Sequence, residues 1–171
     1  MNHRTLRLFA GISAIGWIGM FAGGAAELPY LSDLFGVVYH LALIPVLLAL
    51  VAPIWAKGAG FFWIMADTAL NVASINGLGA ENIWALRLGV HIGAALWILG
   101  TSMNMRPFAR VVSIALGGSL ALHALIAPAL PQAVLALVIF PLMVVWLITL
   151  AAGRGAKVVE ALSLMERTEV A

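Results

Sequence analysis

Six runs of predominantly apolar residues, joined by short connectors, occupy almost the whole chain: residues 6–26, 34–55, 59–75, 83–101, 108–127 and 132–152. Each is close to the roughly 20 residues that a helix needs to cross the hydrocarbon of a bilayer. Inside lipid a backbone must satisfy its own hydrogen bonds, so runs of this length are expected to be helices. The pattern predicts an all-α, polytopic membrane bundle: six transmembrane helices within residues 1–153, then a short cytoplasmic tail, 154–171. Composition agrees. Of 171 residues, 64% are hydrophobic and 9% charged, against roughly a quarter charged in soluble domains. So few polar side chains cannot coat a water-facing surface, which makes the lipid bilayer the first partner. No connector is long enough for a soluble catalytic domain, and no basic run offers a nucleic-acid surface. The absence of cysteine removes disulfides, thiolate metal sites and thiol catalysis.

The third run is the least apolar, because it carries Asp67, Asn71 and Ser74. An Asp at a helix centre costs roughly 2.5–3.5 kcal/mol to insert. Charge placement nevertheless predicts that this run spans. With six spans and the N-terminus inside, Arg4, Arg7, Lys57, Arg106, Arg110, Arg154, Lys157 and Arg167 all fall on the cytoplasmic side, while Glu27, Asp33 and Glu81 fall outside. Without the third span Arg106 and Arg110 would move outside and break the positive-inside pattern. Both termini are therefore expected in the cytoplasm. The opening "MNHRTLRLFAGISAIGWIGMFAGGAAELP" has a rival reading as a signal peptide, with a basic start, an apolar run and small residues near Ala25. Cleavage would leave five helices in the same orientation. In the tail, Val158, Leu162 and Met165 have helical spacing, as in an amphipathic helix on the membrane surface.

Helices in lipid approach closely where residues are small. Gly16, Gly19 and Gly23 line the first run, Gly89, Gly93 and Gly100 the fourth, and Ser113, Gly117 and Ala121 the fifth. Gly89 and Gly93 fall roughly opposite Arg87 and His91, which predicts a fourth helix buried on two sides. Pro45 and Pro141 fall mid-helix and should kink it. Tyr30, Trp55 and Trp84 fall near span ends as interface anchors, and Trp17, Trp63, Trp97 and Trp146 lie deeper as packing.

The polar residues form a pattern of their own. Asp67, Asn71 and Ser74 are spaced by four and three and share a helix face; Arg87 and His91, spaced by four, share another. With a turn over residues 76–82 and a rise of 1.5 Å per residue, Asp67 and His91 each lie about 14 Å below the outer helix ends, and Asn71 and Arg87 about 8 Å. The expectation is two layers, Asp67 facing His91 and Asn71 facing Arg87, with Arg87 long enough to reach Asp67 too. His40 and His123 lie at about 9 and 6 Å on the second and fifth runs. These six residues are the candidate ligand-binding set, since ionisable groups at membrane depth are expensive and mark functional sites or buried clamps.

The fragments "WIMADTALNVASINGLG" and "ALRLGVHIGAALW" (residues 85–97) resemble small six-helix bacterial membrane proteins of a domain-of-unknown-function family. The resemblance covers most of the helical region. It implies a bacterial inner-membrane protein with no assigned reaction and supplies no catalytic residues. The residues themselves point first to small-solute or proton-linked transport, or ligand binding, through Asp67, Asn71, Arg87 and His91. Two alternatives stand beside it. One is a haem or metal protein using His40, His91 and His123, although no cofactor is named by any motif. The other is a non-catalytic membrane subunit or assembly factor. No triad, carboxylate pair or HExxH motif supports an enzyme. Six helices in so short a chain make a thin bundle, which favours a homo-oligomer.

Overall fold

A computed structural model describes residues 3–126 and 135–153. The expected surface helix of the tail and the "APALP" connector at residues 127–131 lie outside the described residues. Among those described there are helices and connectors and no strand. The helices are α1 (His3–Ala25), α2 (Pro29–Ala49), α3 (Ile54–Ile75), α4 (Ala80–Ser102), α5 (Pro107–Ile126) and α6 (Phe140–Ala151), the last entered through a π-helical turn, Leu135–Ile139. Four of them contain a stretch long and apolar enough to cross a membrane: Arg4–Ala25, Pro29–Ala49, Asn82–Ser102 and Pro107–Ile126. The apolar stretch Leu137–Ala151 is shorter, and α3, although 22 residues long, is made less apolar by its polar residues.

Prolines place several of the helix boundaries. Pro29 and Pro107 open α2 and α5, where a fixed φ suits the first turn and the missing N–H is not needed. The second span was expected over residues 34–55. It is displaced toward the N-terminus, because Pro29 starts it early and the chain turns extended at Leu50, with ψ 133°, ahead of Pro53. A residue before proline is driven out of the helical region, so Pro53 ends one helix and begins the next. Trp55 consequently belongs to α3, 57% exposed beside Ile54 at 90%. Pro45 lies inside α2, as expected. Pro141 does not interrupt a helix: it lies in the first turn of α6, and the π-helical turn absorbs the irregularity. The carbonyl of Phe140 at this junction accepts the indole N–H of Trp17 at 3.2 Å.

Three helices end on a residue in the left-handed region. The ends of α3 and α6 use Gly77 (φ 92°) and Gly153 (φ 70°), the residue type that adopts this conformation freely. The end of α1 uses Glu27, at φ 57°. Leu28 N–H bonds the Gly23 carbonyl at 2.9 Å and Glu27 N–H the Gly24 carbonyl at 3.1 Å, the paired bonds of a Schellman cap. A side chain in this conformation costs roughly 1–2 kcal/mol that glycine avoids.

The helices form a ring in chain order. Each packs on its sequence neighbours, and α6 packs on both α5 and α1 to close the circle. Glycines set the closest approaches. A Cβ on Gly16 would lie 2.9 Å from the Tyr39 backbone, and one on Gly23 would lie 2.8 Å from Ser32 N. On α4, Gly93 packs against the Ala59 carbonyl and Gly100 against Ala56, both on α3. Gly89 faces open space, so α4 is not buried along its whole glycine stripe; its close contact begins one turn further, at Gly93. The interior is aromatic: Trp17, Tyr39, Trp63, Trp97 and Trp146, from five helices, are all buried and stand in ring contact at centroid separations of 5.0–6.2 Å. Outward faces carry Leu8, Ile15, Leu48, Phe62, Val111 and Leu125, each more than half exposed. An apolar exterior around a closed ring is the surface that lipid, not water, would solvate. The start of α1 and the connectors after α2 and α4 make one basic end, with Arg4, Arg7, Lys57, Arg106 and Arg110; Glu27, Asp33 and Glu81 belong to the opposite, acidic end.

Candidate functional site

Asp67 is the centre of the site. It is 3% exposed, on the inner face of α3. Arg87 Nε on α4 donates to Asp67 Oδ1 at 2.7 Å, and Arg87 Nη2 donates to Asn71 Oδ1 at 2.6 Å. One guanidinium therefore bridges the two layers expected from helix depth. The other carboxylate oxygen, Oδ2, receives the Trp63 indole N–H at 3.2 Å, with His40 Nε2 at 3.2 Å and His91 Nε2 at 3.7 Å. A carboxylate is tolerated at this depth when such partners surround it; its desolvation is offset by a cation and a hydrogen bond from its own helix.

The sequence-predicted residues converge with one qualification. Asp67, Asn71, Arg87, His91 and His40 form one contact group. His123, on α5, does not reach Asp67; it stands at the edge, its ring 5.9 Å from His91 and 5.8 Å from Trp84. Nδ1 of both His91 and His123 is buried without a hydrogen-bond partner. Ser74 points toward a vestibule above the site, whereas Asn76 caps its own helix by donating to the Val72 carbonyl at 2.7 Å.

Two further residues build the site. Trp63 was read as packing, yet its N–H is a ligand to Asp67. The signal was the spacing of four between a Trp and an Asp, which puts a buried donor beside a buried acceptor. Gly36 on α2 has two roles. Its carbonyl contacts His40 Nδ1 at 2.8 Å. Its missing side chain admits Asn71, since a Cβ there would lie 2.7 Å from Asn71 Nδ2. Nothing in the sequence marks this glycine apart from the others, except its place one turn before a histidine.

The Gly36 carbonyl can only accept, so the 2.8 Å contact is a hydrogen bond in the tautomer with a proton on His40 Nδ1. The amide of Asn71 faces the same nitrogen from 3.4 Å, too far to compete. The Nε2 atom then faces Asp67 Oδ2 at 3.2 Å, off the line of a good hydrogen bond. Two lone-pair atoms at that separation repel unless a proton lies on one of them. The Gly36 carbonyl and the Asp67 carboxylate therefore compete for the protons of one imidazole.

Above the cluster, at the acidic end, a cavity of about 340 Å³ opens between the ends of α1, α2, α3 and α4. Arg87 contributes to its lining together with Glu27, Ser32, Asp33, Ser74 and Trp84. The Arg87 side chain is 21% exposed, and among the described residues only Nε and Nη2 are engaged by protein groups, with no partner for Nη1.

No protein-family model, curated protein or solved structure matches this chain. The functional reading therefore rests on the site itself. For a metal, the geometry is unfavourable: among the described residues no group of three or more His, Asp or Glu is placed to hold an ion. Arg87 explains why, because its guanidinium occupies the near side of the Asp67 carboxylate and repels a cation.

Proposed function

We propose that this chain is a multi-pass protein of a bacterial inner membrane that binds or carries a small polar solute in a proton-linked manner, with Asp67, His40, His91 and Arg87 as the working groups. Six spans place the basic end in the cytoplasm, and with it both termini. The vestibule then opens to the outside. The third helix crosses despite its polar residues because the ring surrounds Asp67 and Asn71 with protein, so that neither meets lipid.

One observation carries the proton-linked reading: His40 is held between an obligate acceptor, the Gly36 carbonyl, and the Asp67 carboxylate. Both compete for the protons of one imidazole, and His91 Nε2 stands 3.7 Å from the same carboxylate oxygen. Loading the vestibule changes the field at Arg87, and Arg87 is bonded directly to Asp67. Solute occupancy and protonation are thereby linked through one carboxylate.

The test is purified protein in liposomes with a pH-sensitive dye inside and an imposed membrane potential. Wild type is expected to pass protons, and Asp67→Asn, which keeps the shape but removes the charge, is expected to stop them. Equal flux through both proteins would refute the reading.

A further inference from the structure

The vestibule has opposite charges at its two levels. Glu27 and Asp33 stand among its lining residues near the acidic end, and Arg87 lies one step deeper, attached to the buried cluster. A simple anion drawn to Arg87 would be repelled by two carboxylates on the same cavity. A simple cation drawn to the carboxylates would meet a guanidinium. A solute with both charges satisfies both levels. From this we infer that the vestibule is a binding site for a small zwitterion, an amino acid or a similar ammonium carboxylate, with its carboxylate on the free Nη1 edge of Arg87 and its ammonium toward Glu27 and Asp33.

Three independent features support that assignment. The first is the free edge of Arg87. Among the described residues Nη1 has no protein partner, while Nε and Nη2 are fixed by Asp67 and Asn71, so the guanidinium is already oriented for a planar carboxylate. The second is Glu27. Its backbone occupies a left-handed position that the ends of α3 and α6 give to glycine. Backbone economy favours glycine here as well, so the carboxylate is present against the local preference of the chain. Such outliers gather where a side chain serves a ligand. The third is size and lining. A cavity of about 340 Å³ lies at the lower limit of small-molecule pockets, roughly 300–1,000 Å³. Trp84 and Ile83 give it an apolar wall for the body of the solute, and the Ser74 hydroxyl adds a neutral hydrogen bond, while the Ser32 hydroxyl donates to the Met20 carbonyl at 2.8 Å.

This inference rests on the solute half of the reading above, and its test separates it from the proton half. Full-length protein in detergent is titrated by calorimetry with a panel of neutral α-amino acids and with ω-amino acids from β-alanine to 6-aminohexanoate. At least one is expected to bind. Its analogues lacking the ammonium or the carboxylate should each bind at least tenfold more weakly. Glu27→Gly preserves the cap and removes the charge. It should lower affinity for the zwitterion several-fold while leaving the ammonium-free analogue unchanged or tighter. Equal binding of the ammonium-free analogue to wild type would make this an anion site and overturn the inference, as would equal binding of the amine alone. Failure of the whole panel would overturn it as well, while Asp67-dependent proton flux in liposomes could still stand. Binding without that flux would keep the vestibule assignment and remove the proton linkage.

Discussion

Gly36→Ala is the smallest change that reaches the centre of this site without altering any charge. The added methyl would lie 2.7 Å from Asn71 Nδ2 and 2.9 Å from both Cγ and Oδ1 of the same amide. Ordinary contact begins near 3.4 Å, so the amide must retreat by about 0.7 Å. It has little freedom to do so, because Oδ1 is held by Arg87 at 2.6 Å. Overpacking of this kind costs about 1–3 kcal/mol. Weakening a hydrogen bond to a charged donor adds about 1 kcal/mol. The expected loss is therefore about 2–4 kcal/mol. A double-mutant cycle with Asn71→Ala isolates the cause. Asn71→Ala alone strands one Arg87 donor and should cost about 1.5–3 kcal/mol. In the double variant there is no amide left to clash, so adding Gly36→Ala should cost almost nothing more. The coupling should be about 2 kcal/mol or larger. Reversible unfolding in mixed micelles, followed by tryptophan fluorescence, supplies all four stabilities. Additivity within about 0.5 kcal/mol would show that Gly36 does not act through Asn71.

Breaking the ion pair from one side should cost more than removing it entirely. Asp67→Leu is expected to destabilise by about 3–5 kcal/mol, and Asp67→Leu with Arg87→Met by clearly less, in the same unfolding assay. Glu27→Gly should raise stability by about 1 kcal/mol, because glycine relieves the left-handed position at the end of α1; an unchanged or lower midpoint would contradict the cap assignment. Trp17→Phe should cost about 1 kcal/mol by removing the hydrogen bond to the Phe140 carbonyl at the end of the π-helical turn. The chain contains no cysteine, so single introduced thiols report topology directly. With an impermeant maleimide, Asp33→Cys should label only from outside and Asn104→Cys only from the cytoplasm; labelling of both from one side would rule out the proposed orientation.

The polar pairing was legible in the sequence because helix rise is nearly constant. Counting from the turn between α3 and α4 was enough to match Asp67 with His91 and Asn71 with Arg87. The helix boundaries near Pro29 and Pro53 were less legible. Hydropathy is blind to where an apolar run breaks, and residues 50–55 are as apolar as the helix before them. Trp63 was hidden by its own bulk: a tryptophan in a greasy segment reads as filler until its N–H is given a partner. Gly36 could not be found from spacing, since its importance comes from a side chain on another helix. The position of α2 relative to α3 is a tertiary fact. Glu27 was legible only as a charge at a span end; its backbone conformation appears only once the cap is formed.

The order of the helices around the ring has a consequence for assembly. Every hydrogen bond and ion pair given to Asp67 among the described residues comes from α2, α3 and α4, so its partners can be in place while the later helices are still being made. The aromatic interior cannot. Trp146 arrives with α6, where its indole N–H reaches Ser113 at 2.9 Å and its ring meets Trp97. Trp17 likewise waits for the Phe140 carbonyl. Until then the polar cluster sits inside an open crescent, with one side of the aromatic core uncovered. Closure falls to α6, the last and shortest α-helix among the described residues, so a quality-control protease that recognises unsealed bundles has its window before α6 docks.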